Sequence, residues 1–186
     1  MEYGTKPIEL GGRRLTLRSP GGADAAAMIA YLKKACGETV FLLNYPDEVT
    51  YTEAEETALL ERWRSAADQV MVGVFDGDRP VGTVSLSGVG PKSKLRHRAV
   101  LGITVLRELW GLGLGRLLMR EAEVLARSMG FSQIELGVFS DNRRAIHLYE
   151  TEGYTVYGRV PGAFHLRDGT VQDELLMAKD LSRPAS

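Results

Sequence analysis

Gly111, Gly113 and Gly115 alternate with other residues in Trp110-Gly-Leu-Gly-Leu-Gly115, between a β-rich run and a helical one. Missing side chains at such a junction let backbone N–H groups approach an anion, and the N-terminus of the following helix adds positive potential. A phosphate is the expected ligand, and a flexible turn in which Gly115 eases helix packing is the plain alternative. A Walker A loop needs Gly-Lys followed by Ser or Thr, whereas Gly115-Arg116-Leu117 offers neither, so nucleoside triphosphate chemistry is disfavoured. The dinucleotide fingerprint fails too: begun at Gly111 its last glycine falls on Arg116, and begun at Gly113 on Leu118, although Glu135 stands at a tolerable distance for a ribose ligand. His97, His147 and His165 share no ligand spacing with each other or with Cys36, so no metal is expected. Lys92, Lys94, Arg96, His97 and Arg98 read as a solvated basic loop, with a site for an acidic substrate or nucleic acid as the alternative. Among the arginines near the glycines, which include Arg120, Arg143 and Arg144, only Arg116 is carried as a ligand contact, through its backbone.

The elements that position this loop follow from pattern and capping. Alternation in Arg14-Leu-Thr-Leu-Arg18 predicts a strand, and Ala23 to Ala35, rich in alanine after Asp24, predicts a helix. Thr52-Glu-Ala-Glu55 has capping-box spacing and opens a second helix to about Ala66. Val70 to Phe75 and Pro80 to Leu86 are β-rich runs joined by Asp-Gly-Asp-Arg, which predicts an antiparallel hairpin. Ala99 to Leu106 is the next strand. A helix follows the glycines with Leu114, Leu117, Leu118, Ala122 and Leu125 on one side and closes at Gly130, and Ile134 to Phe139 is a further strand. Strand, helix, strand of this length predicts a parallel crossover, so the sheet is mixed: an α/β fold, mostly antiparallel, and not doubly wound. Asn142 to about Glu152 is a last helix, and strands at Tyr154 to Val160 and Val171 to Ala178 flank the turn Arg167-Asp-Gly-Thr170.

A length of 186 residues with 44% hydrophobic side chains suits one domain, with an ordered core at about residues 11–181 and short extensions that carry no pattern. Lys and Arg total 23 against 24 Asp and Glu, which argues against nucleic-acid binding through bulk positive charge. Apolar runs stop short of a membrane span and the first residues lack a basic stretch leading into an apolar one. No membrane association is expected, and the cytoplasm is the expected compartment. Cys36 is the only cysteine, which excludes an intrachain disulfide.

Together, His97 to Val105 (His-Arg-Ala-Val-Leu-Gly-Ile-Thr-Val), the glycine loop, Asn142-Arg-Arg-Ala-Ile-His-Leu-Tyr149-Glu150 and Gly153-Tyr154 resemble the GNAT superfamily of acetyl-CoA-dependent N-acetyltransferases. The resemblance runs from the first strand to Ala178, is strongest between Leu101 and Tyr154, and points toward uncharacterised or small-amine members. It implies a GNAT-like fold with a V-shaped cofactor cleft and acetyl-CoA as co-substrate. It further implies that Ile103, Thr104 and Val105 pair with the pantetheine arm, that Gly111, Leu112, Gly113, Leu114, Gly115 and Arg116 wrap the pyrophosphate, and that Asn142 touches the pantetheine. Tyr149 matches the tyrosine that in many relatives stands beside the sulfur as general acid. Trp110 stands where relatives often have Gln or Arg.

Acyl transfer from a thioester to an amine needs a neutral nucleophile, a stabilised oxyanion and a proton for the departing thiolate. Many relatives carry Glu two residues before the strand glycine; here that place is Val100, ahead of Gly102, and Val100 accepts no proton. Glu48 and Glu135 are the candidate bases, with water as the alternative. Gly102 itself marks either a close ligand approach or a small residue under a helix. The acceptor is a small-molecule amine or the N-terminal or lysine amine of a protein, and a homodimer is left open. Val100 also motivates a rival reading, a CoA-binding sensor or scaffold without catalysis. A nucleotide-dependent oxidoreductase is a second rival, opposed by the failed fingerprint.

Overall fold

The computed structural model describes residues 1–182. In chain order it forms β1 (Lys6–Leu10), β2 (Arg13–Arg18), α1 (Ala25–Glu38), α2 (Glu53–Ser65), β3 (Gln69–Asp76), β4 (Arg79–Gly88), β5 (Arg98–Val105), α3 (Leu114–Ser128), β6 (Gln133–Phe139), α4 (Arg143–Thr151), β7 (Thr155–His165) and β8 (Val171–Asp180). The strands form one mixed sheet in the order β1-β2-β3-β4-β5-β6-β8-β7. β5 and β6 run parallel, joined through α3 by a crossover as the sequence predicts. The pairs β1–β2, β2–β3, β3–β4, β6–β8 and β7–β8 are antiparallel. Among the described residues no helix is long and apolar enough to cross a membrane.

Chain contacts group the described residues into two units, Met1–Ser87 with Gly102–Leu118, and Gly88–Leu101 with the stretch from Met119 onward. In the first, Leu15 and Leu17 of β2 and Val72, Val74 and Phe75 of β3 are at most 2% exposed, as are Leu60 of α2 and Leu106 and Leu109 after β5. Each fully buried side chain of this kind contributes about 1.5–3 kcal/mol. The capping box at α2 forms as expected: Glu55 N–H donates to Thr52 Oγ1 at 3.3 Å, and Thr52 N–H to Glu55 Oε2 at 2.8 Å. The expected β3–β4 hairpin turns at Gly77, whose φ is +62°. One correction concerns the amino-terminal stretch. Lys6–Leu10, expected to be an extension without pattern, pairs residue for residue with β2, from Lys6 opposite Leu17 to Leu10 opposite Arg13. Its mostly exposed side chains and its Pro7 hide the period-2 signal, as suits an edge strand.

In the second unit Ala122 and Ala126 of α3, Ile134 of β6 and Met177 of β8 are fully buried. Lys179 of β8 pairs with Glu123 of α3, and partial burial of both ends makes this tie less solvent-screened than a fully exposed pair. β8 inserts between β6 and β7, and β7 runs on to His165, five residues past the end expected for it. Two register shifts in β7, at Val156/Gly158 and Val160/Phe164, break its alternation, which is why its second half reads as a loop in sequence. Of the carboxyl-terminal extension expected at Ser182 to Ser186, residues 183–186 lie outside the described residues.

Candidate active site

The glycine loop belongs to the first unit, where both of its ends are anchored. Leu106 N–H donates to Val81 O of β4 at 3.0 Å, and a single 3-10 turn, Arg107–Leu109, drops the buried Leu109 into the core. Trp110 Nε1 donates back to Val105 O at 2.7 Å, so the indole ties the loop to the end of β5. Glu38, at the end of α1, accepts from Arg107 N–H at 2.6 Å. Between these anchors Gly111 and Gly113 adopt φ of +81° and +91°, a region other residues rarely enter. A Cβ on Gly113 would meet no atom of the described residues within 4 Å, so the backbone there is approachable from outside. Leu112, between the two glycines, rests against the β1–β2 turn at Gly11.

The first turn of α3 completes this arrangement. Leu117 N–H donates to Gly113 O at 3.1 Å, and the amides of the residues before it face out of the helix's N-terminal end. Backbone donors and the positive end of the helix dipole therefore converge on the open side of Gly111 to Arg116. This donor set fits a pyrophosphate.

Ile103, Thr104 and Val105 are half-buried at the end of β5, beyond the parallel register with β6, which covers only Arg98 to Val100 against Gln133 to Glu135. Tyr31 of α1, which the sequence reading did not single out, donates to Thr104 O at 2.8 Å and lies 3.3 Å from Thr83 Oγ1. Burial drives its phenol far above the ordinary value, so it stays a donor throughout the neutral range. No sequence pattern distinguishes this tyrosine from a core residue, because its partner is a backbone carbonyl. Glu48 is exposed and its Oε2 accepts from Tyr45 N–H at 2.8 Å, closing a short 3-10 turn at Pro46–Glu48.

Asn142 and Tyr149 belong to the second unit. Asn142 caps α4, accepting from Ala145 N–H at 3.2 Å through Oδ1, which leaves its amide hydrogens for other work. Tyr149, two turns on, is 7% exposed and its ring lies 6.2 Å from that of Tyr154 at 53°. Burial pushes its phenol up to about 12, so the hydroxyl carries its proton at neutral pH, and no hydrogen bond to it is present among the described residues. Glu135 is buried and held on both oxygens: Arg98 Nη2 donates to Oε2 at 2.7 Å, Arg98 Nε and Gln133 Nε2 both reach Oε1, the latter at 2.9 Å. The arginine hydrogen bonds, more than offsetting desolvation, hold its carboxyl below the usual carboxylate range, which opposes proton uptake. Val100 is 46% exposed and is the register partner of Glu135.

The profile of the acetyltransferase (GNAT) family matches residues 29–154, more than half of the chain. This protein belongs to the acetyltransferase (GNAT) family. By that membership it is an enzyme of the acyltransferase class, and the mixed sheet is the sheet of its structural neighbours. A GNAT-family acetyltransferase from Streptococcus pneumoniae superposes with a TM-score of 0.83 at 28% identity, over 89% of this chain and 99% of that one. A GNAT superfamily phosphinothricin acetyltransferase from Sinorhizobium meliloti, solved in complex with AcCoA, superposes with a TM-score of 0.75 at 21% identity, over 90% of this chain and 88% of that one, and shares the fold. The N-terminal acetyltransferase B complex catalytic subunit naa20 of Schizosaccharomyces pombe is 37% identical over 87 residues, 47% of this acetyltransferase and 48% of that subunit. The chain thus spans about half the length of this curated relative.

Proposed function

We propose that this acetyltransferase transfers an acetyl group from acetyl-CoA directly to a primary amine, with no covalent enzyme intermediate. The observation that carries the reading is the pair of left-handed glycines, Gly111 and Gly113, opening onto the first turn of α3 with no atom of the described residues in the path of a Gly113 side chain. That donor set suits the pyrophosphate of CoA, held by backbone amides from Gly111 to Arg116. Backbone groups of Ile103, Thr104 and Val105 pair with the pantetheine arm, and the amide hydrogens of Asn142 bind it further. Acetyl-CoA supplies the activated acyl group; everything else is done by the chain. Tyr149, protonated at neutral pH, supplies the proton that the thiolate needs. The S. meliloti neighbour with AcCoA bound supports the co-substrate, and the stretch shared with naa20 supports the α-amine of a polypeptide as acceptor over a small amine.

A panel of free-amine peptides, lysine and small alkylamines, scored for CoA release, tests this. Acetylated amine and free CoA in equal amounts are expected, with peptides carrying a free N-terminus turning over fastest. Acetyl-CoA binding without release across the panel would make the protein a CoA-binding scaffold.

A further inference from the structure

Two acceptor groups on β8 have no donor among the described residues. Oε1 of Gln172 is buried, in a residue 8% exposed, and receives no hydrogen bond among the described residues. Two residues on, and so on the same face of the strand, Glu174 is half-buried, and its carboxylate makes no hydrogen bond or ion pair among the described residues. Strand β6 makes room for it. Phe139 is the register partner of Glu174, and Gly137 lies opposite Leu176. A Cβ on Gly137 would overlap Oε1 of Glu174 and stand 2.9 Å from its Cδ. The carboxylate therefore lies across the bare backbone of β6, in space that any other residue at 137 would fill. Phe139 stacks on Phe164 of β7, rings 3.7 Å apart and 13° from parallel, and Phe164 is the register partner of Gln172.

A buried acceptor without a donor, such as Gln172 Oε1, is costly and uncommon, and the half-buried carboxylate of Glu174 beside it stays within reach of solvent and of an incoming ligand. Both of these groups accept, and one is charged, so the complementary ligand brings N–H donors and positive charge. We propose that Glu174 and Gln172 receive the amino group of the acceptor, Glu174 pairing with the ammonium and taking a proton while Gln172 Oε1 accepts an N–H. The assignment rests on the acyl-transfer reading above. It supplies the base that Val100 is not and that Glu135, held by Arg98 and Gln133, is poorly placed to be. The ammonium gives one proton to Glu174, and the lone pair so freed forms the C–N bond at the thioester carbonyl. The C–S bond then breaks with its electrons on sulfur. The thiolate takes the proton of Tyr149, which the second proton on nitrogen replaces, and Glu174 releases its own to water. Ammonium and thioester thus become amide, thiol and one proton. Within this unit the titratable groups facing Glu174 are Tyr157 of β7 and, across Gly137, Glu135 with its partner Arg98. Asp173 lies on the opposite face, held by Arg159 and Gly162 N–H.

The probes are phenethylamine and a tetrapeptide with a free N-terminus, the latter compared with its N-acetylated twin. In the wild type the free amines shift the side-chain amide resonances of Gln172, and the acetylated peptide does not. Glu174→Gln weakens this binding by about tenfold or more, and Gly137→Ala, which displaces the carboxylate while retaining it, does the same. With a probe that turns over, the pH break in kcat/KM stays put as amine basicity changes, and Glu174→Gln removes it without moving KM for acetyl-CoA. Equal shifts from the acetylated twin, unaltered binding in a folded variant, no Gln172 shift with either amine, or a break that tracks the amine's own pKa would each overturn the proposal. Gln172 shifts without CoA release would leave it standing and overturn acyl transfer; release without shifts would do the reverse.

Discussion

Tyr149 carries opposite consequences for rate and for stability. Replacing it with Phe removes a proton donor and keeps the buried ring, so kcat is expected to fall by about 10²-fold or more with KM for acetyl-CoA unchanged in steady-state assays. Its phenol, pushed up to about 12 by burial, lies above the value of about 10 that it regains on unfolding. The folded state therefore holds the proton more tightly. That stability is complete below about pH 10 and is lost as pH rises toward 12. Urea titrations between pH 9 and 12 should show the wild type losing stability faster than Tyr149→Phe. Glu135 works in the other direction. Its carboxyl is lowered by Arg98, so its contribution is present above the unfolded carboxylate value of about 4.3 and disappears as pH falls through the depressed folded one. Without Arg98 an unmatched buried carboxylate remains, at a cost of about 1–3 kcal/mol. Arg98→Ala should lower Tm by about 2–4 °C per kcal/mol lost and flatten the acid limb of the stability profile.

Among the elements, the glycine loop gives the sharpest test. Gly113→Val meets no steric obstacle but forces a β-branched residue to a φ of +91° and sets a side chain in front of the amides of α3. CoA affinity by calorimetry is expected to fall strongly while circular dichroism retains the native spectrum; unchanged affinity would reduce the loop to a turn. This loop, the capping box at Thr52 and the parallel crossover could be read from sequence because each is a local pattern with its own chemistry. β1 could not: it is short, mostly exposed and holds Pro7, and only its pairing with Leu15 and Leu17 of β2 makes it a strand. Tyr31 and Glu174 escaped for a related reason. Each matters through a partner far away in sequence, Thr104 O for one and the missing side chain of Gly137 for the other. A glycine inside a strand was the one local sign of that second meeting, and it is a sign shared with bulges and bends.

At the scale of the whole molecule, β1 is the outermost strand beside β2. Deleting residues 1–10 leaves β2 with a bare edge, and the truncated protein is expected to aggregate at concentrations where the full chain stays monodisperse by light scattering. The division of the chain into two units has a consequence for how the protein is born. Neither unit is continuous: the first is closed only by Gly102–Leu118, after the chain has already begun the second at Gly88. A ribosome that has released residues 1–101 has made β1 to β4 without the last half of β5 or the start of α3, so β4 emerges as an unprotected edge. Residues 111–116 arrive in the final stretch of that first unit. A stalled chain ending at residue 101 should thus be digested by protease where one ending at 118 resists, and the glycine cradle comes into being only with the unit that carries it.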